Sequence, residues 1–401
     1  MRPIKRLIQL DEALSLALAR TKPISRTEDL HLVESVGRVA AVDVFSTLSV
    51  PPFSRSSMDG YAVRAADTLG ASRLKPISLR RKEILYAGVV PRKRVGRREC
   101  AEIATGAMLP EGADSTVMVE DTEVDDGEVK VFKPVHRGEN VSKKGEDITP
   151  RTKVISKGDF LNPSKIGALA AIGHERIKVY TKPLVAVIPT GNEVADLGQD
   201  LRPGQVYNIN GYTLSGAIQT NGGEARMSRI VNDSPEDIDK VIHANRDCDM
   251  LVFSGGSSVG ERDIMIDVLE KSGEVVFHGV AIKPGKPTLF GVIGGQLLFG
   301  MPGYPTACLS NAYIILAPVL RKMARLPDVP PTTTYAKMAS RVVSTTGRTQ
   351  FLTVRIDGDI AYSAFKESGA ITSMAFADGY VVIPADVDLI EKGETVRVFL
   401  L

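Results

Sequence analysis

The clearest periodicities of the chain lie between residues 184 and 325, where short apolar runs alternate with amphipathic ones. LVAVIPT (184–190) and DMLVFS (249–254) are unbroken apolar runs, the pattern of strands buried on both faces, and ARMSRIV reads as a third strand. Between them INGYTLSGAIQTNGG (209–223) reads as a helix ending in glycine. SPEDIDKVIHAN reads as a helix capped by Ser234, begun by Pro235 and closed by a capping box through Asp237. RDIMIDVLEKSG gives a further helix, TLFGVIGGQLLFG a hairpin turning at Gly294-Gly295, and Tyr304 to about Met323 a longer helix. Strand–helix alternation of this kind predicts a doubly wound parallel sheet.

The flanks follow other patterns. Ala13, Leu14, Ala17 and Leu18 stand at helical spacing behind Asp11, which predicts an opening helix with Asp11 as its cap. From about Val42 to Val135 the apolar runs are short and broken by Pro and Gly, as in YAGVVP, STVMVEDTEV and VKVFKP, which predicts an inserted β-rich domain. NPSKIGALAAIG (162–173) adds a helix with Pro163 in its first turn, LPDVPP (326–331) a linker, and the remainder a small β domain. The expected fold is therefore an α/β multidomain protein. A discontinuous linking domain (1–41 plus 138–180) carries an inserted β-rich domain (42–137), followed by a central α/β domain (181–325) and a C-terminal β domain (331–401).

Composition narrows the class. A chain of 401 residues is too long for one ordinary core, and 43% apolar with 24% charged residues is the make-up of a soluble globular protein. Fifty basic against 48 acidic residues, a net charge of +2, gives no reason to expect a nucleic-acid partner. Charged residues punctuate the first twenty positions, and no apolar run approaches the roughly 20 residues of a membrane span. Three scattered cysteines imply reduced thiols, so a cytoplasmic location without membrane association is expected; five scattered histidines offer no zinc spacing. The basic run RKRVGRR (92–98) reads as a solvated charged edge rather than a nucleic-acid patch.

Candidate chemistry gathers at the strand ends. Ligands of open parallel sheets bind beyond the carboxyl ends of the strands. Here those ends run into TGNE with Glu193, NDSPED with Asp233, SGGSSVGERD with Asp263, KPGKP with Lys283 and Lys286, and MPGYPTA. Gly255, Gly256, Ser257 and Ser258 allow close backbone approach to an anion, and the lysines supply compact positive charge. Carboxylates beside an anion repel it unless a hard cation lies between, which points to Mg²⁺ held by Glu193, Asp233 and Asp263. Each piece alone is a tight turn, a helix cap or a surface lysine; their joint placement suggests a phosphorylated or oxyanion substrate.

Read together with the N-terminal half, these loops resemble a family. PPFSRSSMDGYAVRAADT (51–68) is similar to the MoeA signature PPFDxSxMDGYA. EIATGAMLPEGADSTVMVEDT (102–122) and RGENVSKKGEDI (137–148) resemble two further elements of that family. IPTGNEV, SGGSSVGERD, AIKPGKP, GMPGYPTAC and SGAITSMAFADGYVVIP follow in the family's order, so the resemblance spans nearly the whole chain. It extends to the related C-terminal domain of gephyrin. It implies a central MogA-like molybdopterin-binding domain. It also implies a molybdenum insertase: Mg²⁺-dependent transfer of molybdate, or of tungstate, into adenylylated molybdopterin with release of AMP. Carried over by motif position, Asp59, Thr105, Asp147, Glu193, Asp233 and Asp263 are implied catalytic residues. Lys283, Lys286, Pro302, Pro305, Thr306 and Ser373 join the Gly-Gly-Ser-Ser segment as implied substrate contacts. A homodimer is implied, with contact to a MogA-type adenylyltransferase or to acceptor molybdoenzymes.

The sequence departs from the family pattern at Ser54, where Asp is usual, and at Tyr304 and Ala307, where Asn and Ser are usual. If the missing serine hydroxyl holds molybdate, either Thr306 substitutes for it or the oxyanion site differs. Two other readings compete: adenylylation of molybdopterin by ATP, as in the MogA-type proteins, and a gephyrin-like scaffold. The first lacks a reason for the inserted and C-terminal domains, and the second lacks a trimerising domain within 401 residues.

Overall fold

The computed structural model describes residues 7–255, 264–328, 330–366 and 368–401. The predicted Gly256, Ser257, Ser258 and Asp263 therefore lie outside the described residues. The chain divides into two compact units, residues 29–36 with 40–178, and residues 1–28 with 37–39 and 179–401. Helix α1 (Leu10–Arg20) opens the larger unit. Its Ala13 and Ala17 are fully buried in the same cluster as Val319, Leu320 and Met323, so small residues on one helix face seat it against the central fold. Gln9 rather than Asp11 is the N-cap residue, and Asp11 lies in the first turn, where a carboxylate favours the helix dipole.

The smaller unit is the β-rich one. Its strands β1 (Gly60–Val63), β2 (Ile77–Leu85), β3 (Glu99–Ile103), β4 (Ser115–Met118), β5 (Thr122–Asp125) and β6 (Glu128–Val131) form a sheet in the order β4-β1-β3-β2-β6-β5. Alternation sends Tyr61, Val63, Cys100 and Val117 to one face and Ala62, Ala101 and Ile103 to the other. Helix α2 (Pro163–Ala171) follows, its Asn162 side chain accepting the Lys165 N–H and Pro163 filling the first position as predicted.

The larger unit holds the doubly wound sheet. Strands β7 (Leu184–Pro189), β8 (Glu224–Met227), β9 (Met250–Ser254), β10 (Gly273–His278), β11 (Leu289–Ile293) and β12 (Gln296–Met301) lie in the order β8-β7-β9-β12-β11-β10. β8, β7, β9 and β12 are parallel, whereas β11 runs against both its neighbours because a tight turn at Gly294 and Gly295 joins it to β12. Val185, Val187, Met250 and Val252 pack on one face with helix α3 (Ile209–Thr220) and a long helix over residues 305–323. Ala186, Ile188, Leu251 and Phe253 pack on the other with α4 (Pro235–Ala244) and α5 (Ile264–Ser272). Two buried faces account for the unbroken apolar runs of the sequence.

Three local expectations change. β8 stops at Met227; beyond it the Ser228 N–H still reaches the Val187 carbonyl at 2.8 Å, and Val231 bridges Thr190. Ser234 caps α4 through its hydroxyl, but the Asp237 carboxylate bonds Lys240 and Asn232 instead of returning to the Ser234 N–H, so the capping box does not form. The 305–323 helix is also interrupted: α6 (Pro305–Asn311) passes through one π turn at Ala312–Leu316 before α7 (Ala317–Met323).

The C-terminal residues close a small barrel. Strands β13 (Thr333–Met338), β14 (Thr349–Asp357), β15 (Ile360–Ser363), β16 (Gly379–Ile383) and β17 (Thr395–Leu400) run in the order β14-β15-β13-β17-β16, and β16 pairs back onto β14. Leu352, Val354, Val381, Ile383, Val396 and Val398 fill its interior.

Candidate functional site

The parallel strands place their carboxyl ends at one edge of the sheet, and the polar loops start there. At the end of β7, Thr190 is buried; its N–H donates to the Ser254 carbonyl at 3.0 Å and binds the ends of β7 and β9 together. The chain then turns so that the Glu193 carboxylate lies back over Gly191. Asp233, on the loop leading into α4, faces the same place. Its carboxyl is held above the usual carboxylate range, first by burial and next by the negative charge of Glu193, with a hydrogen bond from the Thr190 side chain acting the other way. Asp233 retains an exposed edge. Two of the three predicted metal-binding carboxylates are thus brought together, and their mutual repulsion is the electrostatic condition a hard divalent cation relieves. Oxygen-only donors of this kind fit Mg²⁺.

At the end of β9, the Gly255 N–H donates to the Met301 carbonyl at 3.3 Å. Gly255 has φ +99°, and a Cβ there would lie 2.6 Å from the Thr190 carbonyl oxygen. The loop after β10 is folded by its own hydrogen bonds: the Lys286 carbonyl accepts from Val280 and Thr288, each at 3.0 Å. Lys283 and Lys286 are both half-buried, and Lys283 Nζ donates to Thr345 Oγ1 at 2.9 Å. Ile282 and Lys283 pair in parallel with Thr349 and Gln350, so this loop adds a short strand beside β14 of the barrel.

Pro302 is buried and Pro305 begins α6. The Thr306 hydroxyl donates to the Ala370 carbonyl at 3.0 Å and its N–H to the Ser368 carbonyl at 3.0 Å. Its single hydroxyl proton is thereby committed to the barrel loop. Ser373 is fully buried, and its Oγ accepts the Lys366 N–H at 3.0 Å. The Thr306 and Ser373 hydroxyls thus bond the backbone at Ala370 and Lys366.

Thr190 of the TGNE motif and two residues outside the quoted motifs also build the edge. Thr190 lies against Asp233, Asn210 donates from Nδ2 to the Gly303 carbonyl at 2.8 Å, and Asn311 bonds the KPGKP loop. Asn210 carries a sequence signal, a second Asn two residues after the Asn208 cap; Asn311 sits in an apolar helical run and carries none.

In the smaller unit a second polar cluster forms independently. Asp59 Oδ1 accepts the Thr105 N–H at 2.8 Å, which joins the SMDG and TGAMLP loops. Ser56 exchanges backbone bonds with Gly106 and Ala107, and the Ser54 carbonyl accepts from Leu109. The GEDI segment reaches the same strand, with Asp147 N–H donating to the Val50 carbonyl at 3.0 Å and Lys144 N–H to Ser54 Oγ at 3.2 Å. The Ser54 hydroxyl is thus an uncharged acceptor at this turn. A groove of about 480 Å³ opens beside it, lined by Ser54, Asp114, Arg137 and Lys143. The basic run at 92–98 is a pinned turn: Glu83 accepts the Arg92 and Lys93 N–H groups, and Arg94 lies 3.6 Å from Glu111. All three cysteines are buried and free; burial pushes Cys100 up to about 12 and raises Cys308 further, which leaves no thiol activated.

A doubly wound domain with an acid-and-lysine strand edge, combined with an inserted β-rich unit and a terminal barrel, defines a multidomain protein built around a ligand-binding α/β core. Comparison with known proteins gives its kin. Residues 8–173 match the MoeA N-terminal region (domains I and II), 186–322 a probable molybdopterin binding domain, and 335–401 the MoeA C-terminal region (domain IV). A putative molybdopterin biosynthesis protein of Methanocaldococcus jannaschii is 34% identical over all of both chains. The molybdopterin molybdenumtransferase of Bacillus subtilis is 31% identical over 98% of this chain and 94% of its own length. The crystal structure of the molybdopterin biosynthesis MoeA protein of Pyrococcus horikoshii superposes with a TM-score of 0.84 at 40% identity, covering 98% of this chain and 99% of that one. The chain belongs to the MoeA family. Membership places it among the transferases of molybdenum cofactor biosynthesis.

Proposed function

We propose that the protein is a molybdenum insertase that transfers molybdate into adenylylated molybdopterin with release of AMP. The observation that supports this best is the sheet edge, where Glu193 and Asp233 face each other and the Lys283–Lys286 loop starts from the same side. In this reading Glu193, Asp233 and Asp263 hold Mg²⁺, which when bound would neutralise charge on the phosphoanhydride. Thr190 lies against Asp233, and the Gly-Gly-Ser-Ser segment that begins at Gly255 would offer backbone N–H groups to phosphate oxygens. Lys283 and Lys286 supply compact positive charge for the phosphate or the molybdate. Asp59, Thr105 and Asp147 form the second functional cluster, and the family relationship supports a homodimer in the cytoplasm that passes its product to acceptor molybdoenzymes. Tungstate is the competing oxyanion.

The test is incubation of purified protein with adenylylated molybdopterin, Mg²⁺ and molybdate or tungstate, with AMP followed by chromatography. AMP release that requires the oxyanion supports insertion. Consumption of ATP with molybdopterin supports adenylylation instead, and retention of unreacted ligand supports binding alone. A well-folded Asp263→Asn protein should lose activity by on the order of a hundredfold, since loss of one charge-stabilising group at such a centre removes a few kcal/mol. Wild-type turnover by that variant refutes the assignment of Asp263.

A further inference from the structure

Asn311 is fully buried, at the last position of α6 where the helix passes into its π turn. Its Nδ2 donates to the Gly285 carbonyl at 3.0 Å and to Thr288 Oγ1 at 2.5 Å. The Thr288 hydroxyl donates in turn to the Gly285 carbonyl at 2.8 Å. That proton is spent, so the Thr288 oxygen accepts from Asn311, and the orientation of the amide is fixed by two acceptors. Gly285 has φ +110°, and a Cβ on it would fall on the Asn311 amide group. The side chain therefore occupies the space that allows the loop to turn between Lys283 and Lys286. The Asn311 Oδ1 is buried with no hydrogen-bond partner. An unmatched buried acceptor is costly and persists where the surroundings hold it for a purpose. A π turn inside an α-helix is a second departure from regular packing at the same residue, and such turns recur at functional sites.

We infer that Asn311 is a positioning residue for oxyanion capture: it holds the Gly285 turn so that Lys283 and Lys286 present their ammonium groups together. This rests on the insertase reading for the identity of the anion, although the binding test stands without turnover. Asn311 touches no substrate itself. It acts through the loop backbone, so its loss should weaken anion binding more than it slows the chemical step at saturation.

The experiment compares the wild type with Asn311→Asp, Asn311→Ser and Asn311→Ala. Asp keeps the shape but replaces the amide donor, Ser retains one donor on a shorter arm, and Ala removes both. Binding of molybdate and of inorganic pyrophosphate is measured by calorimetry, with thermal unfolding in parallel and AMP release where the wild type shows it. The expected result for Asn311→Ala and Asn311→Asp is a tenfold or greater loss of anion affinity with kcat changed less than threefold, and partial recovery in Asn311→Ser. Equal anion affinity in the wild type and a folded Asn311→Asp or Asn311→Ser protein overturns the proposal, as does a wild type that binds neither anion. A fall in kcat without a change in affinity also overturns it. Absence of AMP release by a wild type that binds both anions refutes the insertase reading alone.

Discussion

Gly255→Ala tests whether the strand edge is as tightly built as its geometry requires. The residue sits at φ +99°, where a side chain costs about 1–3 kcal/mol. The new Cβ would also stand 2.6 Å from the Thr190 carbonyl oxygen and 3.1 Å from its hydroxyl, so Thr190 must move. Thr190 donates its N–H to the Ser254 carbonyl, and weakening that bond forfeits about 1 kcal/mol. The sum is about 2–4 kcal/mol, lodged in the larger unit. At about 2–4 °C per kcal/mol for a large domain, the transition containing that unit should fall by roughly 5–15 °C. Differential scanning calorimetry resolves it, and because a two-unit chain need not melt in one step, the readout is the individual transition. AMP release should fall with it, since Asp233 loses its support. A variant that melts within 1 °C of the wild type and retains its activity would show that the edge yields freely, and the roles argued for Thr190 and Asp233 would fail with it.

Three further outcomes are expected. Asp233 has a raised carboxyl, so the folded protein binds protons more readily than the unfolded chain and stability falls as pH rises from the unfolded value of about 3.9 through the raised folded one; Asp233→Asn should therefore melt higher than the wild type at pH 7, should lose that advantage at the acid end of a Tm–pH series, and should be inactive. Lys286→Ala should leave the melting temperature nearly unchanged while raising the half-saturating molybdate concentration, and unchanged saturation would assign Lys286 to the surface. Cys100, Cys248 and Cys308 should resist iodoacetamide at pH 8 in the folded protein and react fully in denaturant, because burial raises all three thiols; stoichiometric labelling of the native chain would contradict the buried placement.

The central fold was legible because its strands are buried on both faces and so appear as uninterrupted apolar runs. The first turn of α2 and the cap of α4 were legible for a local reason: Pro163 and Pro235 mark the helix starts, and Ser234 stands one residue before its proline. Asp11 and Asp237 were misplaced because capping depends on which of several nearby donors a carboxylate meets, and Asp237 meets Lys240. The meeting of Glu193 with Asp233 was inferable once both were put at strand ends, since parallel strands share an edge. Other features required coordinates. The pairing of Ile282–Lys283 with Thr349–Gln350 joins segments 67 residues apart in the chain, and no local pattern encodes it. Thr306 looked like a donor free to serve an oxyanion, yet the barrel's Ala370 carbonyl takes its proton. Asn311 was hidden by its neighbours: in a helix of apolar residues a single amide reads as tolerated rather than as required.

The same edge contains two sets of groups that oppose each other, and their separation suggests how stability is exchanged for binding. Glu193 and Asp233 repel, and that repulsion adds to burial in raising the Asp233 carboxyl. Lys283, on the loop held by Asn311, is anchored by the Thr345 hydroxyl. A cation between the carboxylates would remove their repulsion and so bind the folded chain in preference to the unfolded one. Such a ligand stabilises by about 2.7 kcal/mol at a hundred times its dissociation constant. Mg²⁺ should accordingly raise the melting temperature of the wild type by several degrees even without substrate, and the effect should saturate. In Asp233→Asn the repulsion is already gone and one ligand with it, so the variant should start higher and gain little from the metal. The two substitutions of charge, by cation and by amide, must therefore be less than additive. Full additivity of Mg²⁺ and Asp233→Asn on melting would mean that the metal, if it binds, does so elsewhere, and the carboxylate pair would lose its claim to be the metal centre.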